Sequence, residues 1–290
     1  MDFSNNKEKD KQLFSFEVFP PKKDSNIETI YKTLEELKDL NPDFISVTYG
    51  AGGREAGNSK TCEIASIIKD KYNIIPVAHL TCVNSSKAEV DAELTNLKKH
   101  GIKNILALRG DIVPDIERKN DFAHASDLIN YINEHSQGYF EIFGACYPEV
   151  HVDAPDIITD ISNLKKKVEA GAGHLISQLF FDNGKFYDFC EKARIAGINV
   201  PIEAGIMPVT NKKQIERMVT MCGASLPSKF VKVLQRYEYA PEALRDAGIA
   251  YAIDQIVDLL SNGVDGIHLY TMNNPYVAKK INDAVRNLFL

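Results

Sequence analysis

Short apolar runs alternate with longer amphipathic stretches along the whole chain. In the first run, 13–19, apolar side chains occupy every second position, and Glu17 lies with Ser15 on the other side, as in a half-buried strand. Pro20 and Pro21 then end the run. The eight runs of this kind are 13–19, 43–49, 74–80, 103–110, 140–147, 174–181, 200–207 and 265–272.

Helical patterns lie between the runs, often opened by Ser, Asp or Asn and closed by Gly, as at 27–40, 86–100, 156–170 and 211–222. Eight strands that alternate with helices predict parallel βαβ units closed into a (β/α)8 TIM barrel. A doubly wound sheet is the competing fold, but the chain lacks the G-x-G-x-x-G pattern of its dinucleotide site. We interpret 1–290 as a single barrel domain, with 1–12 a flexible tail and an extra helical excursion before the last strand.

Composition narrows the classes of partner. A formal net charge of −6 and a pI near 5.7 argue against nucleic acid, although a local basic patch for phosphate groups stays open. The five cysteines are odd in number and form no C-x-x-C pair, which argues against disulfides and zinc ribbons and favours a reducing cytoplasm. No apolar run approaches the ~18 residues of a membrane span, so we expect a soluble protein that is not exported.

Polar residues stand where the predicted strands end, which in a barrel is the catalytic face. One such residue would more often be a capping or core group, but a ring of them predicts an enzyme. A metal site is not expected, because neither H-E-x-x-H nor a carboxylate cluster is present. The strand-end residues are Glu17, Thr48, Tyr49, His79, Arg109, Asp111, Tyr147, Gln178 and Tyr270.

Two features of the sequence can each be interpreted either as purely structural or as functional. A carboxylate on an apolar strand, such as Glu17, is either paired in a structural ion pair, which is slightly favoured without further context, or placed to meet a ligand. The lysines of "NLKKK" (163–167) either form a solvated helix face, which is ordinarily favoured, or contact a phosphate group. The glycine-rich turn "YGAGG" (49–53) could also meet a phosphate, through its backbone N–H groups.

Nine motifs together resemble the bacterial 5,10-methylenetetrahydrofolate reductases, a flavin-dependent family of (β/α)8 barrels. Each motif is modest alone, but they follow the order and spacing of the family from about residue 14 to residue 289. The motifs are "FEVFPPK", "SVTYGAGG", "AHLTC", "ALRGD", "ASDL", "ACYPEVH", "NLKKKVEAGA", "SQLFFD" and "GIMPVTN".

The resemblance implies that NADH or NADPH reduces bound FAD and leaves, and that the reduced flavin then converts 5,10-methylenetetrahydrofolate to 5-methyltetrahydrofolate. Glu17 matches the general acid that protonates the departing folate nitrogen, since an apolar strand favours a protonated carboxyl. Asp111, Gln178 and Gln214 match folate contacts, and Gln178 also matches a nicotinamide contact. Thr48 matches a further nicotinamide contact.

The resemblance also implies a set of FAD contacts, in which Lys166 and Lys167 meet the diphosphate and Arg109 favours anionic reduced flavin. The matching positions are Tyr49, Ala51, His79, Arg109, Gly110, Asp111, Ala125, Tyr147, His151, Ala154, Asp160, Asn163, Lys166 and Lys167. Three positions depart from the family. Lys166 replaces an arginine of some relatives, Met218 an aromatic residue and Asn274 an arginine that contacts the folate tail.

Two alternatives remain beside the reductase: a flavin-free pterin-binding barrel that acts as a methyltransferase, and a catalytically silent barrel subunit. We expect a homo-oligomer, and a small metal-containing partner subunit, used by some anaerobic relatives, stays open. The choice between NADH and NADPH also stays open. Because the chain ends soon after the eighth predicted strand, we expect no C-terminal regulatory domain and no feedback by adenosylmethionine.

Overall fold

The computed structural model describes residues 11–21, 26–49, 60–112 and 119–289, with all their side chains except those of Gln214 and Arg217. In these ranges eight parallel strands follow one another, in sequence order, around a closed barrel, which confirms the predicted (β/α)8 fold. They are β1 (Leu13–Val18), β2 (Phe44–Val47), β3 (Ile75–Thr81), β4 (Asn104–Leu108), β5 (Glu141–Cys146), β6 (His174–Ser177), β7 (Ile202–Ile206) and β8 (Gly266–Tyr270).

Ten α-helices in the described ranges connect the strands, and none of them is both long enough and apolar enough to span a bilayer. Helices α8 and α9 are the helical excursion predicted before the last strand. The helices are α1 (Glu28–Leu37), α2 (Lys60–Asp70), α3 (Lys87–Lys99), α4 (Ala125–Ser136), α5 (Ile157–Glu169), α6 (Asn183–Ile195), α7 (Lys212–Cys222), α8 (Ser228–Tyr237), α9 (Pro241–Ser261) and α10 (Pro275–Val285).

Polar residues begin α3 and α5, two of the helices that the sequence predicts. At α3 the Ser86 hydroxyl accepts the backbone N–H of Glu89, and the Glu89 carboxylate accepts the backbone N–H of Ser86, which is a capping box. At α5 the backbone N–H of Thr159 donates to the Asp156 carboxylate at 2.7 Å and lowers the pKa of that carboxyl group. The local sequence therefore fixes these two helix starts.

The contacts between residues divide the chain into two compact units. The first holds Ser15–Ala145 and Lys166–Leu175, with strands β2 to β4 complete. The second holds Cys146–Lys165, Ile176–Leu290 and the described part of Glu8–Phe14, with strands β7 and β8 complete. The single-domain interpretation stays a prediction.

The pairing of strands in the first unit shows which side chains face the barrel interior. The rings of Phe44 and Phe143 meet at 5.5 Å although β2 and β5 are not neighbours, so both lie on the inner face. Ser46, two residues after Phe44, shares that face and pairs with Glu17 on β1 and Val77 on β3. Glu17 therefore points into the barrel.

An apolar cluster in the second unit lies under the helical excursion. The ring of Phe230 on α8 stacks on Phe181 at 5.2 Å and on Tyr251 of α9 at 4.2 Å. Gly248 of α9 is so close to the chain after β7 that a Cβ there would lie 1.7 Å from the Val209 carbonyl oxygen. The full set of buried cluster residues is Leu179, Phe181, Met207, Val209, Ile215, Ala224, Phe230, Leu234 and Leu244.

The first strand is tied to the chain just before the last strand. The Leu13 N–H donates to the Asp265 carbonyl at 3.1 Å, and the Gln12 amide donates to the carbonyls of Leu260 and Val264, each at 3.1 Å. Gln12 is the last residue of the predicted tail 1–12, of which residues 1–10 lie outside the described ranges. For that part, flexibility stays a prediction.

Candidate active site

Glu17, the predicted general acid, lies near the carboxyl end of β1 beside a histidine of β3. Its Oε2 atom is 3.5 Å from Nε2 of His79. The His79 side chain is 7% exposed and that of Glu17 is 19% exposed, so the carboxylate keeps an open side that the imidazole lacks. The pair fits both earlier interpretations, because an imidazole can hold a carboxylate in a structural pair and can also orient a proton donor.

Thr48 directly follows β2, where its backbone is fixed on both sides. Its N–H donates to the Val18 carbonyl at 3.0 Å, and its own carbonyl accepts the Thr61 hydroxyl at 2.9 Å. The side chain is half-buried at this strand end, and its ligand contact stays a prediction. Ala51 and the rest of the glycine-rich turn lie outside the described residues.

Tyr49 is half-buried next to the acidic face of α3. Burial raises the pKa of its hydroxyl to about 12, and the carboxylates of Glu93 and Glu89 add to the rise. The phenol therefore stays neutral at physiological pH and can donate its proton in a hydrogen bond to a ligand.

The turn after β4 is built around Gly110. The Arg109 carbonyl accepts the N–H groups of Cys82 at 3.1 Å and Val83 at 2.8 Å, which joins the ends of β3 and β4. Gly110 has φ +84°, and a Cβ there would lie 2.9 Å from the Cβ of Thr81. Only glycine fits this turn without strain, and the turn presents Arg109 at the strand end.

Asp111 and Ala125 come further along the same connection. The Asp111 side chain is exposed, and its backbone carbonyl accepts the Asn84 side-chain amide at 3.2 Å. Ala125 is the buried first residue of α4, where the Asp127 carboxylate accepts the N–H of His124 at 2.9 Å. Their ligand contacts stay predictions.

Lys166 and Lys167 lie in the last turn of α5. The C-terminal end of a helix carries partial negative charge, so lysines there stabilise the helix. The helix end itself would not attract a phosphate, and only the lysine ammonium groups would do so. The Lys167 ammonium donates to the Ala145 carbonyl at 2.7 Å, at the end of β5, whereas the Lys166 side chain is exposed. Lys167 thus has a structural contact that the sequence did not reveal.

In the second unit, the loop between β5 and α5 and the first turn of α5 join four of the predicted cofactor contacts. The rings of Tyr147 and His151 meet edge to face at 4.5 Å. The Asp160 carboxylate accepts the His151 backbone N–H at 3.0 Å, and the Ala154 N–H donates to the His151 carbonyl at 2.8 Å. Because His151 Nδ1 accepts the Asp153 N–H at 3.0 Å, its Nε2 atom carries the proton and can donate to a ligand.

Gln178 follows β6 directly. Its backbone N–H donates to the Cys146 carbonyl at 2.7 Å, and its side-chain Nε2 lies 2.7 Å from the Cys222 sulfur. Asn163 is exposed on α5, and the side chain of Gln214 lies outside the described residues. The structure therefore gives a partner for one of the predicted folate contacts.

Two departures from the family pattern have structural roles. The Asn274 side chain accepts the Val277 N–H at 3.3 Å and caps α10. Met218 packs against the apolar cluster under α8 and α9. A helix cap and a packing contact account for these residue types without a ligand.

Sequence reasoning missed Cys222 and the residues that hold it. The Glu149 carboxylate accepts the Ser225 N–H at 3.0 Å and also the Ser225 hydroxyl. The sequence places Cys222 at the end of the predicted helix 211–222, but no local pattern indicates that its sulfur contacts a residue at a strand end.

Comparison with known proteins gives one family. The family model described as methylenetetrahydrofolate reductase matches residues 2–286. The 5,10-methylenetetrahydrofolate reductase of Pectobacterium carotovorum is 36% identical over 259 residues, which cover 89% of this chain and 85% of that protein. The predicted family is therefore confirmed.

Two further proteins show the extent of the match. Methylenetetrahydrofolate reductase (NADH) 1 of Arabidopsis thaliana is 36% identical over 92% of this chain but 47% of its own length, so the chain spans about half of that relative. An uncharacterized Clostridium thermocellum protein, described as binding two copies of 5-methyl-5,6,7,8-tetrahydrofolic acid, superposes with a TM-score of 0.66. It is 15% identical, with 97% of this chain and 96% of that one covered, and it shows the fold alone.

Proposed function

Because the chain belongs to the methylenetetrahydrofolate reductase family, we propose that it reduces 5,10-methylenetetrahydrofolate to 5-methyltetrahydrofolate with electrons from NADH or NADPH. The observation that carries the proposal is Glu17, an inward carboxyl at a strand end, 3.5 Å from His79 and open on one side. A structural ion pair would not need the open side.

The donor groups of the first unit fit an FAD cofactor. Arg109 and the exposed Lys166 are cations suited to a diphosphate, and the neutral Tyr49 hydroxyl is a further hydrogen-bond donor. A side chain at position 110 would have no room beside Thr81, so this turn, which presents Arg109, requires glycine. When bound, FAD supplies two-electron transfer between the nicotinamide and the one-carbon unit of the folate.

The chemical task that falls to this chain is proton delivery. The methylene group of the substrate bridges two nitrogens, and the bridge opens when the departing nitrogen receives a proton. We assign that proton to the Glu17 carboxyl, with His79 holding the carboxyl group in place. Gln178, with its neighbour Cys222, is proposed as a folate contact, and Gln214 and Asp111 stay further folate candidates.

The reaction is tested with an absorption spectrum during anaerobic titration of the purified protein. We expect a flavin spectrum that bleaches with a nicotinamide donor and returns with methylenetetrahydrofolate. A protein that stays colourless after FAD is added would favour the flavin-free pterin-binding barrel instead. A flavin that bleaches but does not return would mean a different oxidising substrate.

The nicotinamide donor, the cellular compartment and the oligomeric state are three further points to be tested. The Arabidopsis thaliana relative is named for NADH, and we propose NADH ahead of NADPH, to be checked by titration with each in turn. We also propose a cytoplasmic homo-oligomer, to be checked by fractionation of cells and by light scattering after size exclusion.

Replacement of Lys166 and Lys167 by alanine should weaken FAD binding. A hydrogen bond to a charged group contributes about 1.5–3 kcal/mol, so loss of one phosphate contact should raise the Kd of FAD about 10- to 100-fold. The effect should shrink as salt rises, because exposed charges are screened. Fluorescence titration with FAD across a salt series measures it.

The matched control is the pair Lys98 and Lys99, which occupies the same last-turn position on α3. Its double alanine variant should bind FAD as the unchanged protein does. The single variants Lys166→Ala and Lys167→Ala divide the loss between the two lysines, of which Lys167 also donates to the Ala145 carbonyl. If the Lys166 and Lys167 double variant keeps its FAD affinity at every salt concentration, these lysines do not contact the cofactor.

A further inference from the structure

Cys222 ends helix α7 with its sulfur half-buried. The next residue, Gly223, has φ +70° and donates its N–H to the Val219 carbonyl at 2.9 Å, which terminates the helix in the left-handed conformation that glycine adopts readily. The helix end therefore sets the position of the sulfur.

The segment after α7 is fixed by a second, independent contact. The Glu149 carboxylate accepts both the N–H and the hydroxyl of Ser225. A Cβ at Gly223 would lie 3.3 Å from a methyl group of Val152, so the loop that carries Glu149 also packs against the turn. Residues 222–225 are thus held from both sides.

Gln178 has a fixed backbone and a side chain directed at this sulfur. Its N–H donates to the Cys146 carbonyl at 2.7 Å, and its carbonyl accepts the Ser177 hydroxyl at 3.0 Å. Its Nε2 lies 2.7 Å from the Cys222 sulfur. A sulfur is a weak acceptor, but one N–H of the amide is directed to it, which fixes the rotation of the amide plane.

We propose that Cys222 is a positioning residue that sets which edge of the Gln178 amide meets the substrate. When the N–H trans to the carbonyl oxygen is the one directed to the sulfur, the amide offers the carbonyl oxygen and its other N–H side by side. That edge matches a ligand with an adjacent donor and acceptor, such as the cyclic amide of a pterin. The inference rests on the proposed function, in which Gln178 contacts the folate.

The test measures binding of 5-methyltetrahydrofolate to the FAD-loaded protein by calorimetry. Cys222→Ala removes the acceptor, Cys222→Val removes it at nearly constant volume, and Cys222→Ser keeps one. We expect the first two to raise the Kd about fivefold to tenfold, in line with the loss of one hydrogen bond, and the serine variant to stay within twofold of the unchanged protein. Cys190→Ala, at a half-buried cysteine of α6, is the control and should have no effect.

A double-mutant cycle separates positioning from a general structural role. If Cys222 acts through Gln178, Cys222→Ala should add nothing in a Gln178→Ala background. An equal loss in both backgrounds, or unchanged affinity in both the alanine and the valine variants, would overturn the inference while leaving the reductase intact. If the unchanged protein binds no folate, the proposed function itself fails and the inference falls with it.

Discussion

Glu17→Gln should abolish most folate reduction while leaving flavin reduction by NADH fast. The carboxamide has nearly the same shape and can still meet His79 Nε2, so the strand and the cofactor should be retained. It cannot supply a proton to the departing nitrogen of the folate. General acid catalysis contributes about 10²- to 10⁴-fold, and we expect the folate half-reaction to slow by that factor.

Stopped-flow absorbance separates the two half-reactions. Glu141→Gln is the matched control, because Glu141 is also a half-buried strand glutamate of the first unit, but it begins β5. Both half-reactions of the control should stay near normal. A Glu17→Gln protein that unfolds or loses its flavin would make the carboxylate a structural ion pair. Near-normal folate reduction would end the acid role and direct attention to Asp111.

Gly248→Ala should destabilise the protein strongly, against the usual preference of helices for alanine. Alanine is favoured over glycine in a helix by about 0.5–1 kcal/mol. Here the added Cβ would lie 1.7 Å from the Val209 carbonyl oxygen and 2.8 Å from its carbon. Both partners are backbone, so no side chain can turn aside and α9 must shift.

Overpacking costs about 1–3 kcal/mol, occasionally more, and this overlap should reach the upper end or prevent folding. At about 2–4 °C per kcal/mol, we expect the melting temperature to fall by roughly 6–12 °C in thermal unfolding followed by circular dichroism. Gly173→Ala is the control, since nothing lies within 4 Å of a Cβ there. An unchanged melting temperature for Gly248→Ala would mean that α9 does not pack on Val209 in solution.

The periodic pattern predicted the order of strands and helices, but it overestimated how far some strands extend. The apolar run 174–181 predicts a long strand, whereas β6 ends at Ser177. Phe180 and Phe181 remain apolar because they are buried against α6 and α8, where their rings stack on Phe186 and Phe230. Hydrophobicity reports burial, and it does not distinguish a strand from a covered segment.

At the candidate site the sequence located strand-end residues but not their partners. The bond from Gln178 to Cys222 spans 44 positions, and the bond from Lys167 to Ala145 spans 22. No periodicity encodes such pairs, because they depend on how separate strand-to-helix connections fold back toward one another. The resemblance to a family gave the expected roles of Gln178 and Lys167. Their contacts with Cys222 and Ala145 became visible only in the structure.

The seam between β1 and the segment before β8 has a consequence for biosynthesis. Gln12 and Val264, which are bonded across it, are 252 positions apart, so one edge of the first strand has no partner until the residues between them have been made. At translation rates of about 5–20 residues per second, this interval is roughly 10–50 s. An unpaired strand edge is a template for aggregation during that time. The interval before the seam closes is therefore the part of synthesis in which a nascent-chain chaperone would protect this protein most.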